Sequence, residues 1–211
     1  VIKIYSNNTP NPGYLSLEEM RAIVDEAKLM RVPVSAHATS DLAVWRAAEA
    51  GVNSIEHGYE ISDSTLRHMA RKSVALVPTD LDTMILRKYV ELSGQSMDRA
   101  MLQQYLAAGR SRLKRAIDAG VTIVAGSDNY IDFKMPQGAA AKRVLFSYQQ
   151  AGMSPASVLQ AATINAGKLI GDQRIGKIAK GAHADIIAVS GNPLEDFNAL
   201  ERVVFVMTGG K

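Results

Sequence analysis

Apolar and polar positions along the chain follow two alternating rhythms. Short β-branched runs recur at Ile2-Lys3-Ile4-Tyr5, Pro33 to His37, Ser54 to His57, Val74 to Pro78 and Val121 to Ala125. Between them apolar residues return at helical spacing, as with Met20, Ile23, Val24 and Ala27. Ser16 and Glu19 stand at the spacing of a capping box and predict a helix start after a turn-rich loop containing Asn7, Asn8, Pro10, Pro12 and Gly13. Further helices are predicted from Asp41 to Ala50, stopped by Gly51, and from about Asp63 to Lys72. The long segment from Thr79 to Ala119 is expected to carry one helix in its second half and to act as a lid or substrate loop. Later helices fall near Gln137 to Ala151, Pro155 to Ala162 and Asn165 to Leu169.

Strand and helix thus alternate about five times, which predicts parallel strands joined by right-handed crossovers and an α/β class. After Gly176 the pattern changes. Asp185 to Val189 and Arg202 to Val206 read as two strands with no long helix between them, part of a small β appendage. The expected division is therefore 1–175 and 176–211.

Composition narrows this only slightly. With 211 residues, 47% hydrophobic, 21% charged and 7 prolines, the chain is neither disordered nor collagen-like. The absence of cysteine removes disulfide scaffolds, thiolate metal sites and cysteine nucleophiles. No apolar run approaches the roughly 18 residues of a membrane span, and Val1 to Ser6 do not resemble a signal peptide. The reading is a soluble protein of undetermined compartment. The chain lacks an initiator Met and starts inside a strand, so an upstream segment is expected. A net charge of +3 is spread among acids; the one basic cluster, Arg110, Arg112, Lys114 and Arg115, has no interleaved aromatics and reads as a solvated helix face. No nucleic-acid partner is expected.

The informative residues sit where strands end. His37 closes the second run, His57 the third, and Asp128 follows the fifth, while Lys3 lies mid-strand in what reads as apolar surroundings, costly for a cation. One strand-end histidine is more often structural than a ligand; three metal-capable groups on one predicted face reverse that weighting. In a parallel barrel these ends converge on the face where active sites are built. Imidazoles and carboxylates suit a divalent cation that acidifies water. His68, mid-helix, and His183, in a turn, read as structural. A phosphate-binding barrel would need a Gly-rich loop that Gly126-Ser127-Asp128 does not supply.

Together these residues resemble the amidohydrolase superfamily of metal-dependent hydrolases, in its imidazolonepropionase-like and Xaa-Pro dipeptidase-like branch. The resemblance rests on Ile2-Lys3-Ile4, Ser35-Ala36-His37-Ala38, Gly51 to Gly58, Val77-Pro78-Thr79 and Ala125-Gly126-Ser127-Asp128 in that order. It continues through Ala161-Ala162-Thr163, Asn165-Ala166, Lys180-Gly181, His183-Ala184-Asp185 and Gly191 to Leu194. It implies a (β/α)8 barrel flanked by a β-sandwich from both chain ends, and a water-driven cleavage of amide C–N bonds in a small-molecule or dipeptide-like substrate. It implies that Lys3 is carboxylated by CO2 and enters as a carbamate ligand, and that His37 and His57 complete one metal site. Asp128 would be both metal ligand and catalytic general base, with one or two Zn2+ ions as the expected cofactor. Tyr59, Thr79 and Tyr130 are expected near the substrate.

The family's His-x-His pair is absent from this sequence. By the family's order Lys3 belongs to strand four, so the expected architecture is a partial barrel, about strands 4 to 8, with the C-terminal strands of the sandwich. A truncated, weakly active or inactive chain is the expectation, completed by a missing N-terminal segment or by another copy. The alternative is a non-catalytic or assembly-dependent barrel segment that binds a partner chain.

Overall fold

Four short strands lie side by side in chain order, all parallel: β1 (Ile2–Tyr5), β2 (Val34–Ala38), β3 (Ser54–His57) and β4 (Ala75–Val77). In this computed structural model, which describes residues 1–7 and 14–211, they are connected by α1 (Leu17–Leu29), α2 (Asp41–Ala50) and α3 (Asp63–Arg71). Parallel neighbours cannot be joined by a tight turn, so each connection crosses over through a helix. The start of α1 is the predicted capping box: Glu19 N–H donates to the Ser16 hydroxyl at 3.1 Å, and Ser16 N–H donates to the Glu19 carboxylate at 2.7 Å. Gly51 ends α2 at a φ of +90°, a left-handed cap that favours glycine. Residues 8–13 of the expected turn-rich loop lie outside the described residues.

Strand alternation sorts the side chains into two layers. Ile4, Val34, Ala36, Ile55 and Leu76 face the helices and pack with Met20, Val24, Val44, Leu66 and Met69 in one buried core. Lys3, Tyr5, Ser35, His37, Ser54 and Glu56 occupy the other face. There the Ser35 and Ser54 hydroxyls both donate to Glu56 Oε1, at 2.7 and 2.9 Å. The apolar surroundings expected for Lys3 are not found. It is exposed, because only Ile2 and Ile4 of β1 turn toward the helices, leaving Lys3 and Tyr5 on the open inner face.

The long excursion after β4 holds two helices, α4 (Thr83–Leu92) and α5 (Arg99–Asp118), where one was expected. Asp82 and Asp98 cap them, accepting from Ile85 N–H and Met101 N–H. The strand expected at Val121 to Ala125 is reduced to a single bridge between Ile123 and Leu76. Leu76 N–H donates to Thr122 O and Val124 N–H to Leu76 O, but Ala125 N–H then turns to Ala161 O. That last bond carries the backbone out of the sheet, so the ladder stops.

Three helices follow: α6 (Gln137–Gln150), α7 (Pro155–Ala162) and α8 (Ile164–Ile170). Ala166 and Leu169 of α8 cover Ala75, Val77 and Val124, so at this end the inner face of the sheet is closed by a helix. The tail forms an antiparallel pair, β5 (Ile186–Val189) and β6 (Val203–Met207), separated by a 3-10 turn at Phe197–Glu201. Phe197 meets Phe146 of α6 edge-on, with ring centroids 5.2 Å apart. Among the described residues no helix is long and apolar enough to cross a membrane.

Ile55 is fully buried between sheet and helices, whereas Leu29 at the end of α1 is 79% exposed. Urea unfolding should show Ile55→Ala costing about 2–5 kcal/mol and Leu29→Ala less than about 0.5 kcal/mol. Equal costs would contradict this placement of the core.

Candidate active site

Strict alternation would send His57, two residues after Ile55, into the helix layer. Its φ of +73° redirects the chain instead, and Thr79 and Asp128 also lie in the left-handed region, at +56° and +47°. Each non-glycine residue held there costs on the order of 1–3 kcal/mol, and such strain gathers at functional sites. These three mark the ends of β3, β4 and the bridged segment after it.

The turn brings the His57 imidazole to the sheet's C-terminal edge. His37 lies 4.6 Å from it between ring centroids, and Tyr5 lies 5.1 Å from His37 on the other side. His57 Nδ1 is 2.7 Å from Thr79 Oγ1, and that hydroxyl donates its single proton to Pro78 O, also at 2.7 Å. With its proton committed, Thr79 Oγ1 can only accept, so Nδ1 of His57 carries the hydrogen and Nε2 the lone pair. Nε2 faces Asp128 Oδ2 at 3.9 Å.

Burial first, and then the positive potential of His37, Lys3 and Arg112, holds the His57 pKa down to about 4, with Asp128 opposing. Burial and the Lys3 ammonium lower His37 in the same direction. His57 is therefore neutral at pH 7, the form able to bind a cation. Lys3, His37, His57 and Asp128 are thus brought to one edge of the sheet. Among the described residues, however, no group of three His, Cys, Asp or Glu side chains stands close enough to hold an ion unaided.

A second polar layer lies beneath. Asp80 and Arg112 form a buried ion pair, and the Arg112 guanidinium sits 5.2 Å over the Tyr59 ring. Burial raises the Asp80 carboxyl above its ordinary range, with Arg112 opposing, and pushes Tyr105 up to about 12. Tyr59 is half exposed, yet its hydroxyl is 3.5 Å from His57 Nδ1, and desolvation raises its pKa. The solvated face expected for the basic cluster is thus corrected at Arg112, which is 5% exposed. Its helix turns that position inward onto Asp80, while Lys114 stays outside and pairs with Asp118. Helical spacing from buried Leu102, Leu113 and Ala116 could have signalled this.

A cavity of about 370 Å³ opens next to these groups, between the β4 end, α4, α5, α6 and the loop after Asp128. Thr79, Tyr59 and Tyr130 all line it, Tyr130 at its exposed rim. Asp82 and Arg143 form an ion pair in its wall that ties α4 to α6. His68 and His183 lie elsewhere: His68 stacks on Trp45 beside Glu49, and His183 stands near Asp172.

Parallel strands with helical crossovers and polar groups gathered at their C-terminal edge define part of an α/β barrel with a strand-end site. Residues 7–211 match the Amidohydrolase family, and the chain belongs to it. Ochratoxinase of Aspergillus niger is 32% identical over 213 residues, covering 97% of this chain and 43% of the relative. Its crystal structure aligns over all of this chain and 50% of its own, with a TM-score of 0.80 at 30% identity. An imidazolonepropionase from Symbiobacterium thermophilum is 31% identical over 84% of this chain and 38% of its own length. The crystal structure of a Xaa-Pro dipeptidase with methionine in its active site gives a TM-score of 0.81 at 28% identity, over 99% of this chain and 53% of its own. The chain therefore spans about half the length of the relatives it matches, and these hydrolases do not favour the non-catalytic alternative.

Removing Arg112 strands a buried carboxylate, so Arg112→Met should destabilise by about 3–5 kcal/mol, and adding Asp80→Leu should restore much of the loss. Additive losses in urea melts would show that the pair is not coupled. Nitrogen-15 spectra of the imidazoles should show His57 as the Nδ1–H tautomer, and Thr79→Val should weaken that preference. An Nε2–H tautomer in the unaltered protein would refute the assignment.

Proposed function

We propose that this chain supplies the strand-end site of a metal-dependent hydrolase that cleaves amide C–N bonds in small molecules, dipeptides or N-acyl amino acids among them. The observation that carries the reading is the His57 lone pair facing the Asp128 carboxylate at 3.9 Å. Two electron-rich groups so placed call for a cation or a proton donor between them, and family membership favours the cation.

The residues fit such an ion in type. Neutral His37 and His57 offer imidazole nitrogen and Asp128 offers oxygen, a donor set suited to Zn2+. Lys3 fits only after CO2 converts its amine to a carbamate, which would replace a cation beside the two imidazoles by an anionic ligand. The missing third preassembled ligand is consistent with a site that Lys3, or residues beyond this chain, complete. When bound, a divalent metal polarises the scissile carbonyl and acidifies a water.

The chain's own residues do the rest. Asp128, left partly exposed by its left-handed turn, accepts a proton from the attacking water and passes it to the departing nitrogen. Thr79 fixes the His57 ring and tautomer. Tyr59, held protonated by desolvation, presents a hydroxyl beside that ring for a substrate oxygen. We read 1–175 as the barrel part and 176–211 as strands of a flanking sandwich.

The test is metal content and amide hydrolysis of the protein expressed from its whole reading frame, with Zn2+ and bicarbonate. His57→Ala should lower bound metal. Asp128→Asn should keep the fold and reduce kcat by about 10²-fold or more. Lys3→Arg, which cannot form the carbamate, should abolish any bicarbonate dependence. A wild-type protein that binds no divalent metal under bicarbonate would sink the reading.

A further inference from the structure

We propose that the cavity beside the strand-end site receives an uncharged, apolar or aromatic side group of the substrate, and that the Asn129 carboxamide is its polar anchor. The proposal rests on the hydrolase reading for its substrate, and on the cavity alone for its chemistry.

The cavity, about 370 Å³, is at the small end of ligand pockets and exceeds what a single water or ion needs. Thr79 and Asp128 line it, so it is continuous with the edge where His57 stands. Its walls are mostly apolar: Leu81, Ile85 and Phe133 come from a cluster that also contains Ala140, and Leu86 and Val144 extend it.

The charged residues of the wall are already committed. Asp80 pairs with Arg112, and Asp82 with Arg143, which also pairs with Glu201. Among the described lining residues these pairs leave Asp128, at the side of the catalytic edge, as the charge without a close ion-pair partner. An entering carboxylate would find no unpaired cation and would lose hydration without recompense; an entering ammonium would find only Asp128, which the hydrolase reading commits to the metal and the proton, and otherwise apolar wall.

Asn129 stands apart from this pattern. Both its Nδ2 and Oδ1 are shut off from solvent and make no hydrogen bond, although buried polar atoms are normally paired. The backbone around it is held: Asn129 N–H donates to Ser127 Oγ at 3.3 Å, and Gln137 Nε2 donates to Asn129 O at 2.8 Å. Asn129 lines the cavity, and a turn of its side chain toward that space would present an unpaired donor and acceptor, the complement of another amide, which carries the same two groups reversed. It directly follows Asp128, so an amide held there lies one residue from the group assigned to proton transfer.

The experiment is calorimetric titration of the whole protein with neutral N-acetyl-L-phenylalaninamide and N-acetyl-L-leucinamide, and with charged N-acetyl-L-glutamate and N-acetyl-L-lysinamide. Hydrolysis of X-Ala and Ala-X dipeptides, with X as Phe, Leu, Glu or Lys, is measured in parallel. The neutral pair should bind at least tenfold more tightly than the charged pair, and Phe or Leu should raise kcat/KM at least tenfold over Glu and Lys on one side of the bond. Asn129→Leu should weaken N-acetyl-L-phenylalaninamide about tenfold. Ala140→Met, which fills the cavity from α6, should weaken it while N-acetylglycinamide is unaffected. Neutral-ligand binding without hydrolysis would support the cavity proposal and count against the hydrolase reading. Hydrolysis with no preference between Phe and Glu, or binding insensitive to both substitutions in folded variants, would overturn the cavity proposal and leave the hydrolase reading standing.

Discussion

The left-handed turn at His57 is the constraint on which the site depends. Had β3 stayed extended, the imidazole would have followed Ile55 into the apolar layer beneath the helices, where a ring nitrogen finds no partner. The turn continues at Gly58, also at positive φ, where an added Cβ would lie 2.4 Å from Ile61 Cδ1. Gly58 N–H closes it by donating to Ala38 O at 2.9 Å. Glycine there and the Thr79 hydroxyl at Nδ1 together hold a backbone conformation that His57 alone would leave. The strain at Thr79 and Asp128 has the same geometric effect: each strand end re-aims one polar group toward a common point.

Electrostatics then decide what those groups can do. Burial first, and then the Lys3 charge, lowers the pKa of both imidazoles, with Arg112 adding to the effect at His57, and this preserves their lone pairs. That arrangement is internally unfavourable if Lys3 remains a cation beside groups that would gather another. A carbamate at Lys3 would remove the conflict, since it substitutes an anion on the same face. The open inner face of β1 leaves the Lys3 amine exposed at the strand-end edge, where it meets dissolved CO2 directly.

Much of this was legible in the amino-acid sequence because it depends on local rules. The capping box at Ser16, the Gly51 cap and the alternation of strand and helix follow from short-range chemistry, and they place His37, His57 and Asp128 at strand ends without further information. What escaped was set by tertiary context. The segment at Val121 to Ala125 has strand composition but forms one bridge, since its next hydrogen bond goes to the end of α7. The apolar neighbours of Lys3 in sequence predict apolar surroundings, whereas alternation sends those neighbours to the opposite face. Arg112 reads in sequence as one of four surface cations, and only its carboxylate partner 32 residues away shows why it is buried.

The two helices after β4 separate specificity from chemistry. The sheet edge presents groups whose roles depend on short distances and fixed tautomers, and a displacement of 1 Å there would break the Thr79 to His57 contact. The cavity wall is built from α4, α6, Tyr105 of α5 and the loops after β4 and Asp128. Two buried ion pairs, Asp80 with Arg112 and Asp82 with Arg143, fasten that wall. Each satisfies a carboxylate that would otherwise impose its charge on the cavity, so the bonds that fasten α4 and α5 also leave the wall away from Asp128 without a free charge. Substitutions in the apolar wall can therefore change what enters while the strand-end groups keep their geometry, which is how a barrel scaffold admits new substrates without rebuilding its chemistry.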